Sequence, residues 1–216
     1  MAPIFVNDSG ENSIVVVPGA NMHITVDDIN EKENIIKDSK VIMCSNEIEQ
    51  TATLQALKLA KKHKVRSLFN FAPMQKYLAN ELLQASDVLI VNESEAEALT
   101  ESPVGSHDEV KQAISKLLTM GCNTAIITLG ADGAMFASRS NSEVVHVPGQ
   151  KVEPVDTTGA GDAFCGSLGF FLSSMPSLSL QECIRRANVV ASFSVQRVGT
   201  QTSYLTHQEL PQELFS

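Results

Sequence analysis

The fold of this chain is constrained most by a regular alternation between two kinds of segment. Short apolar runs rich in β-branched residues lie at residues 14–17, 41–44, 65–69, 88–91 and 124–129. Stretches with helical spacing of apolar residues lie between them, at 26–37 after Thr25 as a candidate cap, at 52–63, and from Ser106 to Gly121. Strands separated by helix-length connections cannot pair as hairpins. The alternation therefore predicts an α/β fold, a doubly wound and mostly parallel sheet with helices on both faces.

The second half of the chain departs from this alternation. Residues 130–133 read Gly-Ala-Asp-Gly between two apolar runs, which predicts a turn between antiparallel strands and a further strand at 144–147. Helices are predicted at 160–174, at 180–196 after Ser179, and briefly near the C-terminus. With 216 residues and 43% hydrophobic content, the chain can bury one sizeable core. We expect a single domain over residues 1–216.

Charge and composition exclude several classes of function. The formal net charge of −9 disfavours nucleic acid and anionic membrane surfaces as partners, because both require clustered Lys and Arg. No window approaches the 18 apolar residues of a membrane span, and no targeting segment is visible. The four cysteines form no CxxC pair and are expected to be reduced thiols. We expect a cytoplasmic location, with the nucleus as a second compartment.

One nine-residue segment is the strongest chemical signal. Residues 156–164 read Asp-Thr-Thr-Gly-Ala-Gly-Asp-Ala-Phe, so that a turn with two glycines opens directly into an apolar helix. Unpaired amides at a helix start form an anion site, and glycine lets a phosphate approach the backbone. Asp162, beside that site, can take the proton of an attacking hydroxyl. A plain glycine turn in which Asp162 only caps the helix is the alternative reading.

Three other features have ordinary structural explanations beside functional ones. Asn92 followed by Glu95 has the spacing of a helix capping box, and the turn after Thr128 has the composition of a hairpin loop. Glu47 follows a predicted strand, where open α/β sheets bind ligands, although it could equally be a solvated loop carboxylate. The five histidines show no metal-binding or triad spacing, and we assign them no role.

The sequence resembles the ribokinase family of carbohydrate kinases over nearly its whole length. The segments that carry the resemblance occur in the expected order and at about the expected spacing, and they are residues 17–21, 92–95, 128–133, 156–164 and 194–204. The resemblance implies ATP and ribose as substrates, with Mg²⁺ at the phosphates and K⁺ as an activator. It also implies that the γ-phosphoryl group of ATP is transferred to the 5-hydroxyl of ribose.

The resemblance also assigns roles to individual residues. Asp162 is the expected catalytic base and a sugar contact, with Gly159, Ala160 and Gly161 as the oxyanion hole and Glu47 as a second sugar contact. The expected nucleotide-binding residues are Asn92, Thr128, Leu129, Gly130, Ala131, Asp132, Gly133, Gly161, Asp162 and Asn188. Glu95 is expected to hold Mg²⁺ through water, as suits that ion. The expected K⁺ ligands are Asp156, Thr158, Ser194, Arg197, Gly199 and Ser203.

The resemblance covers the middle and end of the family pattern. We expect the lid strands, the first βαβ portion and a sugar-clamping Gly-Gly loop to be missing upstream. This chain alone should then bind nucleotide weakly at best, phosphorylate ribose poorly or not at all, and lack the lid through which the family dimerises. Two other functions stay open. One is phosphorylation of a different sugar or a nucleoside, and the other is a non-catalytic, nucleotide-binding remnant.

Overall fold

The computed structural model of the chain describes residues 4–6, 12–14, 17–75 and 80–216. Its strands in this part of the chain are β1 (Ile4–Val6), β2 (Asn12–Ile14), β3 (Val41–Cys44), β4 (Arg66–Asn70), β5 (Val88–Asn92), β6 (Thr124–Thr128), β7 (Ala134–Ser138) and β8 (Val145–Val147). The predicted strand at 14–17 corresponds to β2, which ends at Ile14, and residues 15 and 16 lie outside the described residues.

The strands form two sheets. β1 and β2 pair antiparallel with each other, and the remaining strands form a sheet in the order β3-β4-β5-β6-β7-β8. β3 to β6 are parallel neighbours, whereas β6, β7 and β8 are antiparallel. The predicted parallel sheet with a local antiparallel patch after residue 130 is therefore confirmed.

The helices confirm most of the predicted segments. They are α1 (Val26–Glu31), α2 (Glu33–Asp38), α3 (Gln50–His63), α4 (Asn80–Ala85), α5 (Glu93–Thr100), α6 (His107–Met120), α7 (Ala160–Ser174) and α8 (Leu180–Ser194), with a short 3₁₀ helix at Gln212–Phe215. Side chains of Thr25, Ser106 and Ser179 accept hydrogen bonds from first-turn amides, as N-caps do.

Two predictions about the helices were wrong or incomplete. The segment 26–37 is not one helix, because Lys32 has a φ of −99° and a ψ of 12°, which separates α1 from α2. The short helix α4 was not predicted, and α5 was anticipated only as a capping box. Both are too short to show a clear helical period in the sequence.

Helices cover both faces of the sheet, as predicted. In β5, Leu89 and Val91 point into the core cluster that includes α3, α4 and α6, whereas Val88 and Ile90 point into the cluster formed with α7 and α8. A strand alternates its side chains between two faces, so both faces of β5 are buried. Because β3 to β6 run parallel, their C-terminal ends lie at one edge of the sheet, where the polar segments after β3, β5 and β6 begin.

The four cysteines are free thiols, as expected. Burial raises the pKa of Cys122 and of Cys165 to about 12, so both thiols stay protonated and behave as small apolar side chains. Within the described ranges, no helix has the length and apolar character needed to cross a membrane.

Candidate functional site

Helix α7 begins at a glycine turn whose backbone amides are only partly used. Gly159 caps the helix with a φ of +81° and no side-chain hydrogen bond. The amide of Ala160 donates to the Thr157 carbonyl at 3.2 Å. Among the described residues, the amides of Gly159, Gly161 and Asp162 have no hydrogen-bond partner. Of the expected oxyanion hole, Gly159 and Gly161 therefore keep their amides for an anion, whereas the Ala160 amide is paired with the Thr157 carbonyl.

Tyr204 fixes the conformation of this turn. Its hydroxyl donates to the Gly159 carbonyl at 3.2 Å. A Cβ at residue 159 would lie 2.5 Å from the Tyr204 hydroxyl oxygen, so both the positive φ and the close approach require glycine. Burial raises the pKa of Tyr204, and the nearby negative charge of Asp162 raises it further. Tyr204 was not predicted to take part in the site, although it lies in the segment 194–204 that carried the resemblance.

The charges of Asp162 and Glu95 both influence the thiol of Cys165. Asp162 is exposed on the first turn of α7, whereas Glu95 is buried at the start of α5. The pKa of Cys165 is raised first by burial and then by the charges of both carboxylates. The structure therefore brings the predicted base and the predicted magnesium residue, which are 67 positions apart in the sequence, to the same end of α7.

Asn92 and Glu95 form a capping box at the start of α5. The Asn92 side chain accepts from the Glu95 amide at 2.8 Å, and a Glu95 carboxylate oxygen accepts from the Asn92 amide at 2.9 Å. The capping box that the sequence offered as the alternative to a Mg²⁺ site is therefore present. The other Glu95 oxygen has no hydrogen bond to the described residues, and burial raises the pKa of this carboxyl. A carboxylate with one oxygen free of hydrogen bonds fits a hydrated Mg²⁺, which takes few protein ligands.

A cleft of about 230 Å³ lies beside the start of α7. Most of its lining is apolar, as expected of a pocket that holds a flat heterocycle. The lining residues are Thr128, Gly130, Ala131, Gly133, Gly149, Gln150, Val152, Pro154, Thr157, Ala160, Gly161, Phe164, Asn188, Ala191, Ser192 and Val195. Unpaired amides at one end and apolar side chains along the walls suit a ligand with one anionic and one aromatic part.

The structure sorts the predicted nucleotide-binding residues into two groups. Thr128, Gly130, Ala131, Gly133, Gly161 and Asn188 line the cleft. Leu129 and Asp132 do not: Leu129 is 8% exposed and packs in the core, and the Asp132 side chain contacts His107. Asn92 and Asp162 are also absent from the lining.

Asn188 is committed to the protein through its amide nitrogen. That nitrogen donates to the Val147 carbonyl at 3.0 Å and to the Pro148 carbonyl at 3.4 Å, so it holds the end of β8 against α8. The neighbouring wall residues Ala191 and Val195 were missed. Their spacing from Asn188, three and seven positions, is that of a single helix face and was the available signal.

Asp156 connects the glycine turn with the segment after α8. One carboxylate oxygen accepts from the Thr158 amide at 2.9 Å, and the other accepts from the Gly199 amide at 2.9 Å. The Gly199 amide lowers the pKa of Asp156 most, followed by Thr158. The structure therefore brings together three of the six residues predicted to bind K⁺.

The other three predicted K⁺ ligands are placed nearby but are not joined to Asp156 by hydrogen bonds. The buried hydroxyls of Ser194 and Ser203 donate to the carbonyls of residues 191 and 200, which leaves their oxygen lone pairs free. The Arg197 side chain turns away to Glu209 at 3.3 Å, so only its carbonyl is available. One carboxylate with hydroxyl and carbonyl oxygens is a donor set that fits a large monovalent cation.

Glu47 lies just beyond β3, at the same edge of the sheet as the ends of β5 and β6. It is exposed, and its only hydrogen bond to the described residues comes from the Ser45 hydroxyl at 3.4 Å. Its position agrees with a ligand contact but also with a solvated loop carboxylate.

Fold and site together point to a class of protein. Unpaired amides at the start of a helix beside an apolar cleft, on a mostly parallel α/β sheet, are an arrangement suited to binding the phosphates of a ligand. The family model described as "pfkB family carbohydrate kinase" matches residues 2–207. The chain therefore belongs to the pfkB family of carbohydrate kinases, which confirms the resemblance found in its sequence.

Named relatives and solved structures agree with this assignment. The chain is 42% identical to the ribokinase of Mus musculus over 214 residues, which is 99% of this chain and 66% of that protein. It is 35% identical to the deoxyribokinase of Salmonella typhi, over 94% of this chain and 65% of that protein. The structure of Arabidopsis thaliana ribokinase complexed with ribose and ATP matches with a TM-score of 0.85 at 28% identity, covering 96% of this chain and 66% of that one. This chain thus spans about two thirds of the length of these relatives.

Proposed function

We propose that this chain catalyses the ATP-dependent phosphorylation of D-ribose at its 5-hydroxyl, which gives ribose 5-phosphate and ADP. The start of α7 carries the proposal, because the unpaired amides of Gly161 and Asp162 stand beside the Asp162 carboxylate at one end of an apolar cleft. The mouse ribokinase and the Arabidopsis ribokinase with ribose and ATP support this choice of substrates.

Asp162 is the general base of the proposed reaction. Its carboxylate accepts the proton of the sugar hydroxyl while the hydroxyl oxygen attacks the γ-phosphorus and the bond to the β-phosphate oxygen breaks. The amides of Gly161 and Asp162 donate to the oxygens of the transferring group, where negative charge is held in the transition state. The positive end of the α7 dipole acts in the same direction.

The cleft holds the nucleotide in this proposal. Its lining combines Thr128, Gly130, Ala131 and Gly133 of the segment after β6 with Asn188 and Ala191 of α8 and with Val195 directly after that helix. Ala160 and Gly161 at the start of α7 also line the cleft, so a nucleotide base in the apolar part directs its phosphates towards the free amides. Leu129 and Asp132 support the turn from behind and do not contact the nucleotide.

Two cations complete the proposed site. Glu95, through its free carboxylate oxygen, and Asn92 hold the waters of a Mg²⁺ ion, which when bound neutralises charge on the phosphates. The K⁺ site uses Asp156 and Thr158 together with oxygens of the segment after α8, namely Ser194, Arg197, Gly199 and Ser203. A cation there stabilises the link between Asp156 and Gly199, and thereby the glycine turn three residues further on.

2-Deoxyribose is a second candidate acceptor, because the Salmonella typhi deoxyribokinase is 35% identical to this chain. The 5-hydroxyl is common to both sugars, so Asp162 and the glycine turn serve either reaction. Glu47, at the end of β3, is the proposed sugar contact on this chain.

The test is product formation by residues 1–216 with ATP, Mg²⁺ and K⁺ and a panel of four acceptors: ribose, 2-deoxyribose, fructose and adenosine. Mass spectrometry of the phosphorylated product at high protein concentration detects turnover that is slow compared with the usual range of about 1 to 10³ per second. The proposal expects ribose 5-phosphate in excess over every other product. Preferential phosphorylation of fructose or adenosine, or ADP binding without any sugar phosphate, would contradict it.

A further inference from the structure

A cluster of two histidines and one aspartate lies on the far side of the turn at residues 130–133. The His107 Nε2 atom is 2.5 Å from one Asp132 carboxylate oxygen, and the His146 Nε2 atom is 3.6 Å from the other. The two imidazole rings lie 4.6 Å apart, centroid to centroid. One ligand atom from each of the three residues can be chosen so that all of them lie within 4.8 Å of one another.

These residues come from three separate elements. His107 begins α6, Asp132 ends the 3₁₀ turn after β6, and His146 is in β8. They are 25 and 14 positions apart in sequence, so no local spacing reveals them. The side chains of His107, Asp132 and His146 are 49%, 53% and 29% exposed, so an ion can reach them from solvent.

The donor set is that of a transition-metal site and not of the Mg²⁺ site. Imidazole nitrogens favour Zn²⁺ and its neighbours in the first transition row, whereas Mg²⁺ prefers oxygen. Three protein ligands around Zn²⁺ at about 2.0 to 2.2 Å stand roughly 3.3 Å apart in tetrahedral geometry, and the present spacings bracket that value.

We propose that His107, Asp132 and His146 form a binding site for a divalent transition-metal ion such as Zn²⁺, with three protein ligands and water in the remaining position. The site is separate from the phosphate end of the cleft and does not depend on the proposed kinase activity.

Three interactions compete with the metal. The hydrogen bond between the His107 Nε2 atom and the Asp132 carboxylate must open before both atoms can bind an ion. The His146 Nε2 atom is 2.8 Å from the Asp132 backbone carbonyl, and this bond must break or the other ring nitrogen must bind. Lys151 is close enough for its charge to act on Asp132, and it opposes a cation. All three reduce affinity but leave the three side chains accessible to solvent.

Binding at this cluster clamps one wall of the cleft. Gly130, Ala131 and Gly133 line the cleft on one side of the turn, and Asp132 projects from the other side. An ion that ties Asp132 to α6 and β8 holds the turn in a single conformation. We therefore expect Zn²⁺ and nucleotide to change each other's affinity by the same factor, as linkage between two sites requires.

The test is Zn²⁺ titration of residues 1–216 by calorimetry without nucleotide or Mg²⁺, with Co²⁺ absorption as a second readout. We expect one saturable site and a rise in the midpoint of thermal unfolding with Zn²⁺. His107→Asn and His146→Asn should each weaken Zn²⁺ binding at least tenfold, because changes even to outer-shell partners cost about 10- to 100-fold. His23→Asn, which removes an exposed histidine outside the cluster, is the matched control and should bind as the unmodified chain does.

Several outcomes would overturn the proposal. Equal Zn²⁺ affinity in all three variants would place the ion elsewhere, and thiolate-to-cobalt absorption would assign it to a cysteine. Absence of saturable binding up to millimolar Zn²⁺ would exclude the site. If His146→Asn fails to fold, His107→Asn still decides the question, because His107 is half exposed and its replacement leaves the core unchanged.

Discussion

Alanine at Gly161 and alanine at Gly159 are expected to have opposite effects, although the two positions are only two residues apart. Gly161 lies inside α7 without a positive φ, and a Cβ built there meets no atom within 4 Å. Since alanine is favoured over glycine within a helix by about 0.5 to 1 kcal/mol, Gly161→Ala should leave the free energy of unfolding unchanged or raise it by up to that amount. Protein packing therefore gives no reason for glycine at this position.

The same methyl group should interfere with the ligand. It occupies the open space next to the unpaired amides of Gly161 and Asp162, where the site needs a phosphate close to the backbone. We expect ADP affinity to fall at least tenfold in Gly161→Ala, which corresponds to about 1.4 kcal/mol.

Gly159→Ala should instead damage the fold. Its φ of +81° costs an alanine about 1 to 2 kcal/mol, and its Cβ would lie 2.5 Å from the Tyr204 hydroxyl. Displacing that hydroxyl removes its hydrogen bond to the Gly159 carbonyl, which adds about 1 kcal/mol. The expected loss in the free energy of unfolding is about 2 to 3 kcal/mol. Tyr204→Phe in the Gly159→Ala background should recover part of it by removing the closest contact.

Urea unfolding followed by circular dichroism gives the stability of each variant, and calorimetric titration with ADP gives its affinity. We expect Gly161→Ala to be stable but to bind ADP poorly, and Gly159→Ala to be unstable. If Gly161→Ala unfolds as readily as Gly159→Ala, or if it binds ADP like the unmodified chain, the distinction between a ligand-facing and a structural glycine is wrong.

Two further predictions concern charged groups. Asp156→Ala should abolish any preference for K⁺ over Na⁺ or Li⁺ in sugar phosphorylation, because it removes the carboxylate of the proposed cation site; unchanged selectivity in the three salts would contradict this. The hydrogen bond from Arg185 is the main cause that lowers the pKa of Glu182 from 4.5 to about 2 in the folded chain. The contribution of Glu182 to the free energy of unfolding is therefore complete above pH 4.5 and is lost as the pH falls towards 2. Glu182→Gln should therefore be less stable than the unmodified chain at pH 7 in urea unfolding, and the difference should vanish near pH 2.

The sheet could be predicted from sequence because each parallel strand is short, apolar and bounded by turn residues. β3 was predicted to the residue, and α7 likewise, since a glycine turn marks its start. The break at Lys32 could not be predicted, because nothing in its chemistry forbids a helix and only the backbone conformation separates α1 from α2.

The site was predictable where function and local sequence coincide and hidden where tertiary contacts decide. The glycine turn and Asp162 form one continuous motif. In contrast, Leu129 turns into the core and Asp132 turns to His107, and the direction of each side chain depends on neighbours that the local sequence does not specify. The Ala160 amide was expected to be free, but the turn geometry pairs it with the Thr157 carbonyl.

Whether Asp162 is the general base is decided by the rate of ribose 5-phosphate formation by Asp162→Asn, taken together with the affinity of this variant for ADP. The change removes the proton acceptor but keeps the size of the side chain and the backbone amide of residue 162. We expect a rate lower by roughly 10² to 10⁴, the usual contribution of a positioned general base, with ADP affinity within a few-fold of the unmodified chain. A variant that forms ribose 5-phosphate at a near-normal rate would show that Asp162 is not the base.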